Sequence, residues 1–158
     1  MNTFKLHEIE LGVDEIVIRV AKNEDAESIQ QINLLTLGYD YDIDSTAIQL
    51  TTILNNETSK IFVAEIEDRV VGYIHGSDYN CTYAPSMKDI IGLAVLDEYR
   101  RYGIGRKLLE KLEEWAKNDG SEGIRLVSGF DRLNAHEFYI RCGYVERKIQ
   151  KNFFKLFD

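Results

Sequence analysis

Apolar residues at Ile16, Ile18 and Val20, with Val17 and Arg19 between them, alternate along the chain and predict a strand. Asn23–Asp25 offers capping residues, and Ala26, Ile29, Ile32 and Leu35 then recur at helical spacing until Gly38. Residues 39–44, Tyr-Asp-Tyr-Asp-Ile-Asp, read as an acidic, aromatic loop, after which Ser45 caps a second helix carrying Ile48, Leu50, Ile53 and Leu54. Residues 61–66 and 70–75 are β-rich runs separated by Glu67, Asp68 and Arg69, the spacing of a hairpin. The polar stretch 76–88, which holds Pro85, reads as a loop. Residues 90–95 form another strand, interrupted by Gly92, and a glycine there marks a bulge or a close backbone approach.

A turn at 96–99 leads to Gly103 and Gly105, and then to a long amphipathic helix that buries Leu108, Leu109, Leu112, Trp115 and Ala116 and stops at Gly120. Residues 124–128 predict a strand. Asn134 opens a short helix with Ala135, Phe138, Tyr139 and Cys142 on one side, and Gly143 closes it. Residues 144–149 and 153–156 read as final strands. The order β-α-α-β-β-β-α-β-α-β-β describes an α/β (α+β) arrangement with a mixed sheet. Residues 1–158 are read as a single domain, with residues 1–15 as an N-terminal extension.

The segment Arg100-Arg101-Tyr102-Gly103-Ile104-Gly105-Arg106 changes this picture from fold to chemistry. It lies between a strand and a helix, where unpaired backbone N–H groups and the helix dipole favour an anion. Glycines let the backbone curl closely around a phosphate. Arg100, Arg101, Arg106 and Lys107 make it the most basic place in the chain. A nucleoside-triphosphate loop of the form G-x-x-x-x-G-K-[ST] is absent, and a G-x-G-x-x-G fingerprint fails at Leu108. Alone, this segment reads equally as a phosphate loop or as an ordinary strand-to-helix turn with surface arginines.

The pattern R-x-x-G-x-G, Arg100 to Gly105, resembles the pyrophosphate loop of the GNAT family of N-acetyltransferases. Residues 132–144 resemble that family's second signature, N-A-x-x-F-Y-x-x-x-G-[FY], at a distance that suits it. Residues 17–26 resemble its first strand and helix start, and residues 61–65 and 70–74 its central hairpin. Agreement of several segments in order and spacing outweighs any one of them. The resemblance implies a mostly antiparallel central sheet flanked by about four helices and splayed between the fourth and fifth strands. It implies acetyl-CoA as co-substrate, held by Leu93, Ala94, Val95, Arg100, Arg101, Tyr102, Gly103, Ile104, Gly105 and Arg106, and by Asn134, Ala135, Phe138 and Tyr139. Tyr139 would stand near the sulfur as general acid; by position alone it reads as an aromatic core residue on the stripe with Ala135 and Phe138. For the base, the candidates are Asp89, His75 or a water chain. Counting back from Val95 places Asp89 on one strand face with Ile91, Leu93 and Val95. The amide of Val95 is a candidate oxyanion donor.

Composition narrows the partners. The formal net charge is −8, which argues against nucleic acid. Tyr39, Asp40, Tyr41 and Asp42 suit a cationic amine through charge and cation–π contact, or form a solvated loop. The acceptor is therefore expected to be a cationic small molecule or a lysine-bearing peptide. A non-catalytic acyl-CoA-binding sensor is the rival reading. Cys81 and Cys142 form no C-x-x-C pair, and His7, His75 and His136 show no metal-ligand spacing, so no metal is expected. No apolar run is long enough to span a bilayer, and residues 1–12 lack a signal-type stretch, so a cytoplasmic protein is expected, with no membrane partner. The resemblance also implies a homodimer through the last strands.

Overall fold

The computed structural model describes residues 15–158, so the expectations placed on residues 1–14 lie outside the described residues. By their contacts the described residues divide into two units, one ending at Leu126 and one spanning Val127–Asp158. Among them, no helix is long and apolar enough to cross a membrane, and no cluster of His, Cys, Asp and Glu could hold a metal ion.

The first unit is built on five strands: β1 (Ile16–Val20), β2 (Ser59–Ile66), β3 (Arg69–Cys81), β4 (Ala84–Val95) and β5 (Ile124–Leu126). They lie in the order β1-β2-β3-β4-β5, antiparallel up to β4 and parallel between β4 and β5. Three helices complete it: α1 (Ala26–Ile32), α2 (Ile43–Leu54) and α3 (Ile104–Asn118). The mixed, mostly antiparallel sheet matches the expectation. Val63, Ala64, Val71 and Ile74 from the strands are buried, as are Ile104, Leu108, Leu109, Leu112 and Ala116 from α3. The hairpin of β2 and β3 closes through Glu67 and Asp68, both at positive φ (48° and 63°), the geometry whose twist matches paired strands.

Arg19 on β1 pins the entry to α1. It donates to both Asp25 oxygens (2.8 and 2.9 Å) and to Glu65 on β2 (2.8 Å), while the Lys22 N–H also donates to Asp25. Burial alone would raise the Asp25 carboxyl, but the Arg19 bonds and the Lys22 amide hold it below its ordinary value.

Several local expectations need correction. Residues 76–88 are not a loop: β3 and β4 continue as a long hairpin that turns at Thr82 and Tyr83. The polar stretch can be strand because its charges pair. Lys88 stands opposite Asp78 in the ladder, forms ion pairs with Asp78 and Asp119, and lies 4.1 Å over the Trp115 ring. Lys88 is only 1% exposed. Burial would push its ammonium down, yet Asp119 and Asp78 more than offset this and raise it.

Helix 1 also departs from the regular stripe. Beyond Ile32 the backbone widens into a π turn, Asn33–Leu37, before Gly38 ends it at φ 74°. The wider turn rotates the following residues off the helical face, and Leu35 is 65% exposed rather than core. Asp42, not Ser45, caps α2; its carboxylate accepts the Ser45 N–H at 2.8 Å, which lowers its pKa.

The second unit contains α4 (Leu133–Arg141), with Gly143 beyond it at φ 90°. Phe138, Tyr139 and Tyr144 form an edge-on aromatic series, with ring centroids 5.3 and 5.6 Å apart. The strands expected at 144–149 and 153–156 are not formed. Their alternation supplies a β-type sequence, but a strand also needs a ladder partner for its backbone, and none is paired there.

Candidate active site

The donor side of the site follows from the way β4 meets β5. Only Lys88, Asp89 and Ile90 pair with β5, opposite Ile124, Arg125 and Leu126. β5 ends at Leu126, so from Ile91 to Val95 this edge of β4 has no ladder partner among the strands of the first unit. The Leu96 N–H donates to Val71 of β3 at 2.9 Å, so by strand alternation the peptide groups of Val95 and Leu93 point the other way, toward the unpaired edge. An extended chain bearing amides could pair there as an added strand.

That edge runs into the basic loop. A 3₁₀ turn, Asp97–Tyr99, is followed by Arg101 at φ 70° and by Gly103 at φ 77°, immediately before α3. Positive φ on alternate residues turns successive N–H groups toward one concavity, an anion-binding arrangement at a helix N-terminus. A Cβ built on Gly103 meets no protein atom within 4 Å, so the glycine answers to the left-handed backbone and not to a crowded protein wall. Arg101, Tyr102 and Arg106 are exposed, and Ile104 is buried as the anchor of the helix start. The Arg100 side chain turns back, donating to the Val95 carbonyl at 3.5 Å and pairing with Asp97 at 3.0 Å. These residues fit a long acyl carrier with amides along its arm and a diphosphate at its end.

The acceptor side is set by a bulge. His75 pairs with Gly92, but the next residue, Gly76, pairs with Ile90, so Ile91 is the extra residue on β4. One inserted residue reverses the faces of everything before it. Asp89 therefore does not share a face with Leu93 and Val95, as simple counting suggested. It stands opposite Ser77, on the face of Tyr73 and His75. The bulge brings both base candidates to one surface, one cross-strand pair apart.

On that surface Arg125 of β5 donates to Asp89 at 2.7 Å, and its guanidinium lies 4.4 Å over the Tyr79 ring. Burial raises the Asp89 carboxyl more than Arg125 lowers it, so it holds a proton to higher pH than an ordinary aspartate. Burial lowers the His75 imidazole and keeps it neutral, and its Nε2 is buried without a hydrogen-bond partner. The Tyr73 hydroxyl donates to Asn33 of the π turn at 2.5 Å. Burial, with the nearby Tyr39, pushes Tyr73 up to about 12. Tyr39 and Tyr41 are exposed at 60% and 49%, and Asp40 is exposed beside them, while the Asp42 carboxylate is committed to capping α2.

Asn33, Tyr73, Tyr79 and Arg125 also meet at this candidate surface, and the sequence reading missed them. The alternation Tyr73, His75, Ser77, Tyr79 was the available signal, and reading 76–88 as a loop concealed it. In the second unit, Asn134 is exposed at the start of α4, Ala135 and Phe138 are half-buried, and burial raises Tyr139 to about 12.

An unpaired β4 edge leading into a positive-φ basic loop and a helix N-terminus suits a ligand that carries amides and phosphate. The sequence pattern of the acetyltransferase (GNAT) family matches residues 26–144, and the chain belongs to that family. It is thereby an acyltransferase with acetyl-CoA as co-substrate. Its relatives include an uncharacterized N-acetyltransferase of Methanocaldococcus jannaschii, 40% identical over 96 residues, or 60% of this chain and 58% of that protein. An N-alpha-acetyltransferase of Saccharolobus solfataricus is 30% identical over 89% of this chain and 86% of its own length. Among solved structures, the aminoglycoside N-acetyltransferase AAC(6')-Iy, determined with CoA, shares the fold at TM-score 0.78 and 17% identity, covering 89% of this chain and 94% of that one.

Proposed function

We propose that this chain transfers an acetyl group from acetyl-CoA to a primary amine by direct attack in a ternary complex, and that the acceptor is a cationic small molecule or a lysine-bearing peptide. The observation that carries the reading is the pairing of two surfaces in one unit. The unpaired edge of β4 suits the donor, and the face of β3 and β4 that carries His75 and Asp89 suits the acceptor. The co-substrate supplies the activated acyl carbon. The chain's residues supply the rest.

The acceptor must shed a proton before it attacks. Asp89, its basicity raised by burial, takes that role, directly or through water, with His75 beside it. The Val95 N–H, aimed away from β3, donates to the carbonyl oxygen as charge develops there. The resemblance of residues 132–144 to the family's second signature assigns Tyr139 to the departing sulfur. Its hydroxyl is held near 12, far above the value of about 8.5 for an ordinary thiol, so it stabilises the thiolate by donating a hydrogen bond more than by full proton transfer. Asp40 and Asp44, with Tyr39 and Tyr41, draw a cationic acceptor to the mouth of this face. A second acceptor, the α-amine of a protein chain, is favoured by the relative named N-alpha-acetyltransferase.

The test is thiol release from acetyl-CoA against a panel of spermidine, an aminoglycoside, lysine peptides with blocked N-termini and peptides with a free α-amine and no lysine. Turnover with the first three, with the Michaelis constant raised by Asp40→Asn and Asp44→Asn together, supports the cationic acceptor. Turnover confined to the free α-amine peptides replaces it with the second reading. Assembly is proposed to be a homodimer that covers Phe153, Phe154, Leu156 and Phe157, each more than 80% exposed. A monomer by sedimentation would remove that part.

A further inference from the structure

Resting on the amine-acceptor reading above, we propose that the acceptor nitrogen is seated between the Tyr73 hydroxyl and the His75 ring, with Asn33 as the positioning residue that aims the hydroxyl.

The two side chains meet at one point of the sheet. Tyr73 and His75 are two residues apart on β3 and share a face. His75 pairs with Gly92, and a Cβ built on Gly92 would lie 3.3 Å from the Tyr73 Oη. The Tyr73 ring therefore leans along the sheet until its hydroxyl stands over Gly92. Cβ atoms of directly opposed residues are about 4.5–5.5 Å apart, so the hydroxyl stands beside the position from which the His75 side chain departs. A side chain at Gly92 would press on this spot, and the position is glycine.

The chemistry of the spot favours one kind of ligand atom. The single proton of Tyr73 is committed to Asn33 Oδ1, so the phenol oxygen presents lone pairs to anything else that approaches. The His75 Nε2 is buried and lacks a partner, a costly condition that native structures seldom leave uncompensated. A neutral imidazole nitrogen without its proton is likewise an acceptor. A primary amine, with two N–H groups, can donate to both. A tertiary amine or a hydroxyl cannot. Asp89 and Arg125 lie on the same face, and Tyr39 faces Tyr73 from the loop that follows helix 1, so these are the charged and titratable neighbours of the seat.

The π turn gives this arrangement its cause in the backbone. Asn33 opens the widened segment, where the regular helix ends. Irregular turns of this kind recur at functional sites, where they re-aim a side chain at the cost of local helix regularity.

Kinetics with the best amine of the panel test the seat. Tyr73→Phe should raise the Michaelis constant for the amine by about tenfold, the scale of one lost hydrogen bond, and leave that for acetyl-CoA unchanged. Asn33→Ala should raise it less. The double variant should match Tyr73→Phe alone, because Asn33 acts through that hydroxyl. An independent readout comes from histidine-ring NMR, since the chain has three histidines and His75→Gln identifies the signal. With coenzyme A present, the same amine should shift the His75 resonances and leave those of His136 in place. A wild-type Michaelis constant in Tyr73→Phe, additive effects in the double variant, or an unmoved His75 signal at amine concentrations that saturate turnover would each overturn the seat while the acetyltransferase reading stands. If Tyr73→Phe fails to fold, Asn33→Ala and the NMR titration decide. If the wild type acetylates no amine, the functional reading falls and the seat with it.

Discussion

Replacing Gly76 with alanine tests how α3 is seated on the sheet. A Cβ at this position would lie 2.4 Å from Leu112 Cδ1 and 3.2 Å from both Leu112 Cδ2 and Trp115 Cζ3. Leu112 has no exposed surface, so its methyl has no solvent to move into. Overpacking of this kind costs about 1–3 kcal/mol. Against it stands the smaller entropy of an unfolded chain with alanine in place of glycine, about 0.4–1 kcal/mol. The net expectation is a loss of about 1–2 kcal/mol, or a melting temperature lower by very roughly 2–8 °C for a chain of this size. Urea denaturation followed by circular dichroism measures it. Adding Leu112→Val removes the clashing branch, so the double variant should lose less than the two single losses added together. A Gly76→Ala protein as stable as the wild type, or purely additive losses, would refute the close approach of α3 to β3 at this point.

Two further outcomes follow from buried ionisable groups. Lys88→Ala removes a buried stem and leaves Asp78 and Asp119 without their cation, whereas Lys88→Met keeps the stem, so denaturant midpoints should place the methionine variant about 2 kcal/mol or more above the alanine variant. Equal stabilities would show that the stem contributes nothing. His75 gives a pH dependence. Its folded pKa is depressed, so below its ordinary value of 6.5 the unfolded chain takes up a proton that the folded chain refuses. Stability should therefore be full above pH 6.5 and fall as pH drops through the window just beneath it, by up to about 1.4 kcal/mol per pH unit. His75→Gln should flatten that slope relative to wild type; an unchanged slope would remove His75 as its source.

The order of elements up to α4 was legible because each depends on local pattern: alternation in β1 and β2, a 3.6-residue stripe in α3, and glycines where the chain turns. The basic turn before α3 was legible for the same reason, since its glycines and arginines are contiguous. The acceptor face was not, because it depends on features without a local signature. The bulge at Ile91 flips Asp89 onto the His75 face, and nothing but the glycine beside it marks the place. The π turn at Asn33 looks like ordinary helix in the sequence. The stretch 76–88 reads as loop because the ion pairs that stabilise it as strand join residues as distant as Asp78, Lys88 and Asp119. The apolar alternation after Gly143 predicted strands, and alternation alone does not supply a ladder partner.

The central claim is that the unpaired edge of β4 and the loop through Gly103 hold acetyl-CoA. Calorimetric titration of acetyl-CoA into the protein, with ATP as the competing phosphate ligand and Gly103→Val as the variant, tests it most directly. The variant places a β-branched side chain at φ 77°, where the positive-φ turn of the loop is strained, and circular dichroism checks that it still folds. The account predicts saturable binding of acetyl-CoA by the wild type, abolished in a folded Gly103→Val protein and not displaced by ATP. Tighter binding of ATP, or undiminished acetyl-CoA binding in the variant, would contradict it.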